Sequence, residues 1–430
     1  MTTTRRTATP GAPERARPGA ADRLGALLRP LLGDPLPIRL TAWDGSTTGP
    51  AGAPGVRLRS RAALRRLVWN PGELGLADAY IAGEIEVEDD LGAGLAVVRR
   101  AAAGRAAAGA PPSPVDRVRA AVLALSLGAV GPRPAPPAGR AALSGALHSK
   151  ARDRAVVHHH YDLSNEFYAL LLDPSMAYSC GYWTSADPDY TLADAQRDKL
   201  DLVCRKLRLG PGSRLLDIGC GWGSLTLYAA GHHGARVTAL TLSEQQHAHV
   251  TARAAELGLA GRVDVQLRDY RDVPAQGGYD AVGTVEMGEH VGKETYPAFA
   301  RLLHAHLRPG GRLLVQQMSR RDRAPGGGAF IETYIAPDMH MRPVGDTVSL
   351  LEDAGLEVLG VEAMREHYVR TIDAWHDTLE RRWDEFTALV GEQTARVWRL
   401  YLVGGALAFR ERRMGVDQIL AVRPAPWPVP

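Results

Sequence analysis

The sequence predicts an α/β fold: a doubly wound, mostly parallel sheet with helices on both faces, a helical insertion, and a small α+β domain in front of it. Three observations predict this. Short apolar runs alternate with helical periodicities from about residue 192 onward. The first run, with Leu215, Leu216 and Ile218, leads straight into the glycines Gly219, Gly221 and Gly223, and helical spacing follows at Leu225, Leu227 and Tyr228. Finally, two long helical stretches, 372–390 and 392–414, separate the sixth apolar run from the last.

Taken in order, residues 1–20 hold Arg and Thr without an apolar segment, so they read as a disordered tail and not a secretory leader. Residues 21–100 form the α+β domain. A helix over 21–32 is expected to break or end at Pro30, strands follow at 37–43 and 55–58, and helices at 61–68 and 73–82. Residues 101–150 are rich in Ala, Gly, Pro and Arg and read as a linker with one amphipathic helix near 115–127. There Arg117 and Arg119 beside Val118, Val122 and Leu125 suit either an anionic lipid surface or packing on the helix's own domain. The main domain spans 151–430. Its strands are expected at 213–218, 236–242, 263–267, 279–285, 312–318, 356–363 and 419–423. Helices over 192–207, 243–257, 293–306 and 346–354 connect them, the second capped by Ser243 and closed by Gly258.

Bulk properties narrow the function. The net charge of +3 is too weak to imply a nucleic-acid partner, and the Arg excess fits a compositional bias. The three cysteines, Cys180, Cys204 and Cys220, lack metal spacing and suit a reducing cytoplasm. No apolar run reaches the roughly 18 residues needed to span a bilayer, so membrane contact is expected to be peripheral, on the inner face. His158, His159 and His160 are sequence neighbours that cannot all face one ion in a regular element, and no metal is expected.

The glycine turn lets a ligand approach bare backbone, and Asp217 favours a cationic one. Thr226 stands where a dinucleotide fingerprint would carry its third glycine. L-D-I-G-C-G-W-G (216–223) instead resembles motif I of class I S-adenosylmethionine (SAM) methyltransferases. At the second strand end, Thr241 and Gln246 suit a ribose or a strand end with its helix cap, while Asp269 and Tyr270 sit where an adenine would lie. Val285-Glu-Met-Gly-Glu-His-Val-Gly292 brings two carboxylates and a histidine to the ligand end of the fourth strand. The N/D-P-P-Y of DNA amino-methyltransferases is absent there. Tyr161, Tyr168, Tyr178, Tyr182 and Trp183 read as lid packing or as a π-rich wall for positive charge.

Further segments carry a wider resemblance: H-Y-D-L-S-N-E-F-Y (160–168), D-P-S-M-A-Y-S-C (173–180), T-L-S-E-Q-Q (241–246), D-Y-R-D (269–272), E-H-V-G (289–292) and E-H-Y-x-R-T-I-x-A-W (366–375). Together they resemble the cyclopropane fatty-acyl-phospholipid synthase family, including the actinobacterial branch that makes 10-methyl-branched acids. The resemblance covers roughly 155–425 and implies a class I SAM-methyltransferase sheet with an antiparallel last strand. It implies methyl transfer from SAM to the double bond of an unsaturated phospholipid acyl chain. By the resemblance Tyr178, Ser179, Gly219, Gly221, Thr241, Leu242 and Gln246 would hold SAM; Asp217, Cys220 and Gly223 at the glycine turn and Asp269 and Tyr270 at the third strand end join them as candidates by position. It also implies a bicarbonate general base held by the Cys180 region, Glu289, a fifth-strand histidine and Tyr368; His290, beside Glu289 at the strand end, is a further catalytic candidate by position. Here the histidine position of L-L-H-T-I is Gln316, in Leu314-Val-Gln-Gln-Met318. Gln cannot exchange a proton as His can, so this departure either redirects the outcome to methylene branching, the favoured reading over ring closure, or leaves Gln316 to hold bicarbonate by its amide. A reductase would then complete a methyl branch. The alternatives are ring formation, methylation of another lipid or small molecule, and a non-catalytic lipid-binding protein; a homo-oligomer is left open.

Overall fold

The computed structural model describes residues 18–107, 114–129, 131–140, 145–161, 165–274, 278–321 and 326–426. It divides into two units, Met1–Pro134 and Ala135–Pro430. The tail expected over 1–20 lies mostly outside the described residues.

In the first unit, helix Ala20–Leu32 accompanies a four-stranded sheet in the spatial order Thr47–Thr48, Arg39–Thr41, Gly55–Leu58, Ile85–Val87. Leu24, Leu40, Leu58, Leu64 and Ala79 form its core. Two expectations need correction. Pro30 neither breaks nor ends its helix: it lies in the last turn, where a missing N–H forfeits one bond, and Gly33 follows as cap. Nor is 101–150 one linker. Helix Leu91–Ala107 runs into its start, the expected helix near 115–127 is present as Pro114–Ser126, and Leu127 and Ala129 join the core of the first unit. The Ala-rich composition concealed this apolar face.

The second unit carries seven strands: β1 (Arg214–Ile218), β2 (Arg236–Thr241), β3 (Val263–Leu267), β4 (Tyr279–Val285), β5 (Leu307–Ser319), β6 (Glu357–Ala363) and β7 (Gly415–Val422). Their spatial order is β6-β7-β5-β4-β1-β2-β3, with β7 antiparallel to both neighbours and the remaining pairs parallel. This is the class I SAM-methyltransferase sheet. From β1 the chain winds outward to β3, then returns to β4 and winds the other way. The C-terminal ends of β1 and β4 therefore flank the crevice where such sheets bind ligands.

β1 reads as an apolar run, interrupted by the buried Asp217, because both its faces are covered. Leu215 packs with Ala239, Ala281 and Leu314 on one side, while Leu216 and Ile218 pack with Leu240, Val282 and Val315 on the other. Each fully buried Leu or Ile stabilises the sheet by about 1.5–3 kcal/mol. The helix before β1, Leu192–Lys206, starts in a capping box formed by Thr191 and Asp194. The insertion between β6 and β7 is three helices and not two, Arg365–Arg381, Trp383–Val390 and Glu392–Arg410, with the extra break at Arg382. Their inner faces bury Trp375, Phe386, Trp398 and Phe409 against Phe167 and Tyr168. Among the described residues, no helix is long and apolar enough to cross a membrane.

Candidate active site

The turn after β1 is tied to β2, because the N–H groups of Gly219 and Cys220 both donate to the Leu240 carbonyl, at 3.1 and 2.9 Å. Gly219 has φ 79° and a Cβ there would lie 2.9 Å from Met287 Cγ. Gly223 has φ 86° and a Cβ there would lie 2.8 Å from both Val250 methyl carbons. Only glycine satisfies both demands.

A pocket opens over this turn, lined by Tyr178, Ser179, Asp217, Gly219, Cys220, Gly221, Thr241, Leu242, Gln246 and Tyr270, together with Glu286 and His290. Asp217 accepts a hydrogen bond from Thr226 Oγ1 at 2.7 Å, so the residue replacing the third fingerprint glycine holds the acid. Burial pushes Asp217 up to about 6, against the pull of Thr226 and of Lys199. Lys199, which the sequence reading missed, is itself buried and donates to Ser179 Oγ at 2.9 Å; burial lowers its pKa. Thr241 Oγ1 donates to Gln246 Oε1 at 2.7 Å, leaving Gln246 Nε2 buried with no partner among the described residues. The helix cap is Ser243, whose Oγ accepts the Gln246 N–H and whose own N–H donates to Thr241 Oγ1, so the Gln246 side-chain amide plays no part in the cap. An orphaned amide, bare glycine backbone and a buried acid fit SAM, with the Gln246 amide suited to a ribose hydroxyl.

Two expected SAM contacts stand apart from the pocket. The Asp269 carboxylate is taken up by Arg271, through its backbone N–H at 2.9 Å and its Nε at 2.8 Å. Gly223 lies behind the turn, where its missing side chain admits Val250.

The second half of the site centres on Glu286, the carboxylate that the motif-based reading passed over in favour of Glu289. Its Oε1 accepts from Cys180 N at 2.8 Å and from Gln316 Nε2 at 2.9 Å, and its Oε2 accepts from Tyr368 Oη at 2.6 Å. Burial raises its pKa, while these three donors and Lys199 pull it back. Glu289 sits behind it, off the pocket. One oxygen accepts from Met318 N at 2.8 Å, and the other is buried without a partner among the described residues. Burial and the charge of Glu286 push Glu289 up to about 8.

Three of the four positions that the resemblance assigned to bicarbonate, Cys180, Gln316 and Tyr368, thus serve the chain's own carboxylate, and the fourth, Glu289, lies behind it. Bicarbonate does not fit this cradle: its partners are taken, and a second anion would face Glu286 at close range. Spacing offered little warning, since Glu286 and Glu289 are both acids at one strand end.

Aromatic rings enclose this half. Tyr178 lies 5.3 Å from Trp375, 6.0 Å from Trp398 and 5.6 Å from Tyr168, and its hydroxyl donates to that of Tyr401. Tyr368 packs 4.8 Å from Phe409. The expected wall is therefore divided. Tyr168 and Tyr178 belong to it, the insertion supplies most of the rest, and Tyr182 instead stacks on His367 while Trp183 lies against Arg370. The side chains of Tyr161 and of His158, His159 and His160 lie outside the described residues.

Comparison with known proteins agrees with this architecture. The family model described as mycolic acid cyclopropane synthetase matches residues 148–419. A "Probable fatty acid methyltransferase" of Mycobacterium tuberculosis is 38% identical over 405 residues, covering 91% of this chain and 92% of the relative. The tuberculostearic acid methyltransferase UfaA1 of the same organism is 32% identical over 410 residues, covering 91% and 89%. Among solved structures, the mycolic acid cyclopropane synthase CmaA1 complexed with SAH and CTAB is 31% identical with a TM-score of 0.58, covering 63% of this chain and 98% of that one.

Proposed function

This chain belongs to the cyclopropane synthase family of SAM-dependent methyltransferases acting on fatty acyl lipids, and from that premise we propose that it methylates the carbon–carbon double bond of an unsaturated acyl chain carried on a phospholipid. The observation that carries this reading is a half-buried carboxylate, Glu286, bonded to Tyr368 of the aromatic cluster and lining the pocket over the glycine turn. Bound SAM supplies an electrophilic methyl group. An alkene is a poor nucleophile, so the chain must hold it close and keep water out. Methylation leaves a carbocation on the acyl chain, which the faces of Tyr178 and its neighbours stabilise.

Loss of a proton then sets the product. Taken from the new methyl group directly, it closes a cyclopropane; taken after a hydride shift, it leaves an exomethylene. Gln316 in place of a histidine favours the exomethylene, and a partner reductase would convert that product to a methyl branch. Ring formation is the second reading, favoured by the family's own description. Incubation with SAM and oleoyl phospholipid vesicles, followed by proton NMR of the lipids, separates the two isomers. Vinyl protons are expected; upfield ring protons would support ring closure, and finding neither would overturn the reading.

Peripheral membrane contact completes the proposal. Helix Pro114–Ser126 leaves Val115, Val118, Val122 and Leu125 exposed at helical spacing, which suits a lipid surface. Co-sedimentation with anionic vesicles should weaken in Val118→Asp.

A further inference from the structure

We infer that Glu286 is itself the proton acceptor, its carboxylate standing in for the bicarbonate ion that the resemblance assigned to this cradle. The inference rests on the proposed alkene methylation.

The first support is the direction of the hydrogen bonds. The Cys180 N–H can only donate. The Gln316 amide could point either way, but a chain of donors behind it decides. The ammonium of Lys206, which has no acceptor, donates to Gln418 Oε1 at 2.7 Å. Gln418 Nε2 then donates to Gln316 Oε1 at 2.8 Å, so Gln316 must present its NH₂ group to Glu286. Gln316 and Gln418 are cross-strand partners on β5 and β7, so the sheet register builds this relay. With Tyr368 donating to the other oxygen, three donors hold Glu286 as the anion, the form a base needs. Glu289 meets only backbone N–H groups among the described residues, those of Met318 and of Glu289 itself, and burial beside Glu286 favours its protonated form. The pair then carries one negative charge, and it rests on Glu286.

The second support is the backbone. Glu286 has φ 51°, in the left-handed region that non-glycine residues rarely adopt, with its N–H donating to the Gln316 carbonyl at 2.6 Å. Strain of this kind gathers at functional positions. The third is location, since Glu286 lines the same pocket as the glycine turn.

The step balances without an outside reagent. Once the methyl group is on the acyl chain, the carboxylate accepts a proton from that methyl carbon. The C–H electron pair becomes the closing bond of the ring or, after a hydride shift, the second bond of the methylene. Glu286 then returns its proton to solvent. Gln316 cannot pass a proton onward as a histidine could.

The test uses the full chain, oleoyl phospholipid vesicles and buffers either freed of carbon dioxide or supplied with bicarbonate. The wild type should turn over equally in both and show no binding of ¹³C-bicarbonate by NMR. Glu286→Gln, the same size but not a base, should be slower by about 100-fold or more. Glu286→Gly suits the positive φ and empties the cradle; it should bind labelled bicarbonate and regain turnover when the ion is added. Both variants should bind SAM as the wild type does in titration calorimetry, which separates loss of the base from loss of the fold. Bicarbonate binding or stimulation in the wild type would overturn the inference, as would a fully active Glu286→Gln or a Glu286→Gly that ignores the ion. A wild type that methylates no lipid at all would count against the proposed function, and the NMR binding comparison would still read the cradle.

Discussion

The two halves of the site are built by different means. The methyl-donor half is local: Asp217, Gly219, Cys220, Gly221 and Thr226 lie on one strand, turn and helix, and their task is mainly to shape backbone. The proton-accepting half is assembled from distant places. Cys180 comes from the segment before the sheet, Glu286 from the end of β4, Gln316 and Gln418 from β5 and β7, and Tyr368 from the insertion. The contrast shows where specificity resides. A glycine turn serves any SAM-dependent reaction, whereas the converging donors suit one kind of proton transfer.

The comparison can be broken from either side. The largest effect is expected from Gly219→Val, since its φ of 79° and the nearby Met287 leave no room for a side chain. SAM affinity in titration calorimetry should fall by about 100-fold or more, from backbone strain and the blocked approach. Tyr368→Phe removes one donor from Glu286 and leaves the glycine turn alone. Its kcat should drop by about 10–100-fold with SAM affinity unchanged, the size expected for one hydrogen bond to a charged group. If both parameters moved together, the two halves would not be separable.

Gln316→His restores a proton-exchanging side chain beside Glu286. Total turnover should change by less than about 10-fold while the ring product rises against the methylene product. A product ratio that stays put in the NMR spectrum would refute the role given to Gln316.

The smallest effect concerns stability. The folded chain holds Glu289 protonated up to about 8, against an ordinary value of 4.5. Between those values the folded state binds more protons than the unfolded one, so this residue's contribution to stability falls as pH rises. In Glu289→Gln, which cannot titrate, the decline of Tm from pH 5 to pH 8 should be shallower than in the wild type. A steeper decline would mean that Glu289 is ionised in the fold.

Much of the fold was legible before any coordinates. Buried parallel strands must be apolar on both faces, so β1, β2 and β4 stand out as runs, and Ser243 and Gly258 mark the ends of one helix. The boundary near 134 was hidden because Leu127 and Ala129 follow a stretch whose composition looks like a spacer. The aromatic wall was half legible: Tyr168 and Tyr178 could be named, but Trp375, Trp398 and Tyr401 carry no mark that separates a site wall from core packing.

By itself, then, the sequence determined what depends on neighbours along the chain: the strand, the glycine turn, the helix caps and the acid at the strand end. Tertiary structure alone decided which of two acids three residues apart meets the donors. That choice depends on the left-handed backbone at Glu286 and on the pairing of Gln316 with Gln418 across two strands. Neither is a property of any short stretch, because both arise only when distant segments pack and exclude water.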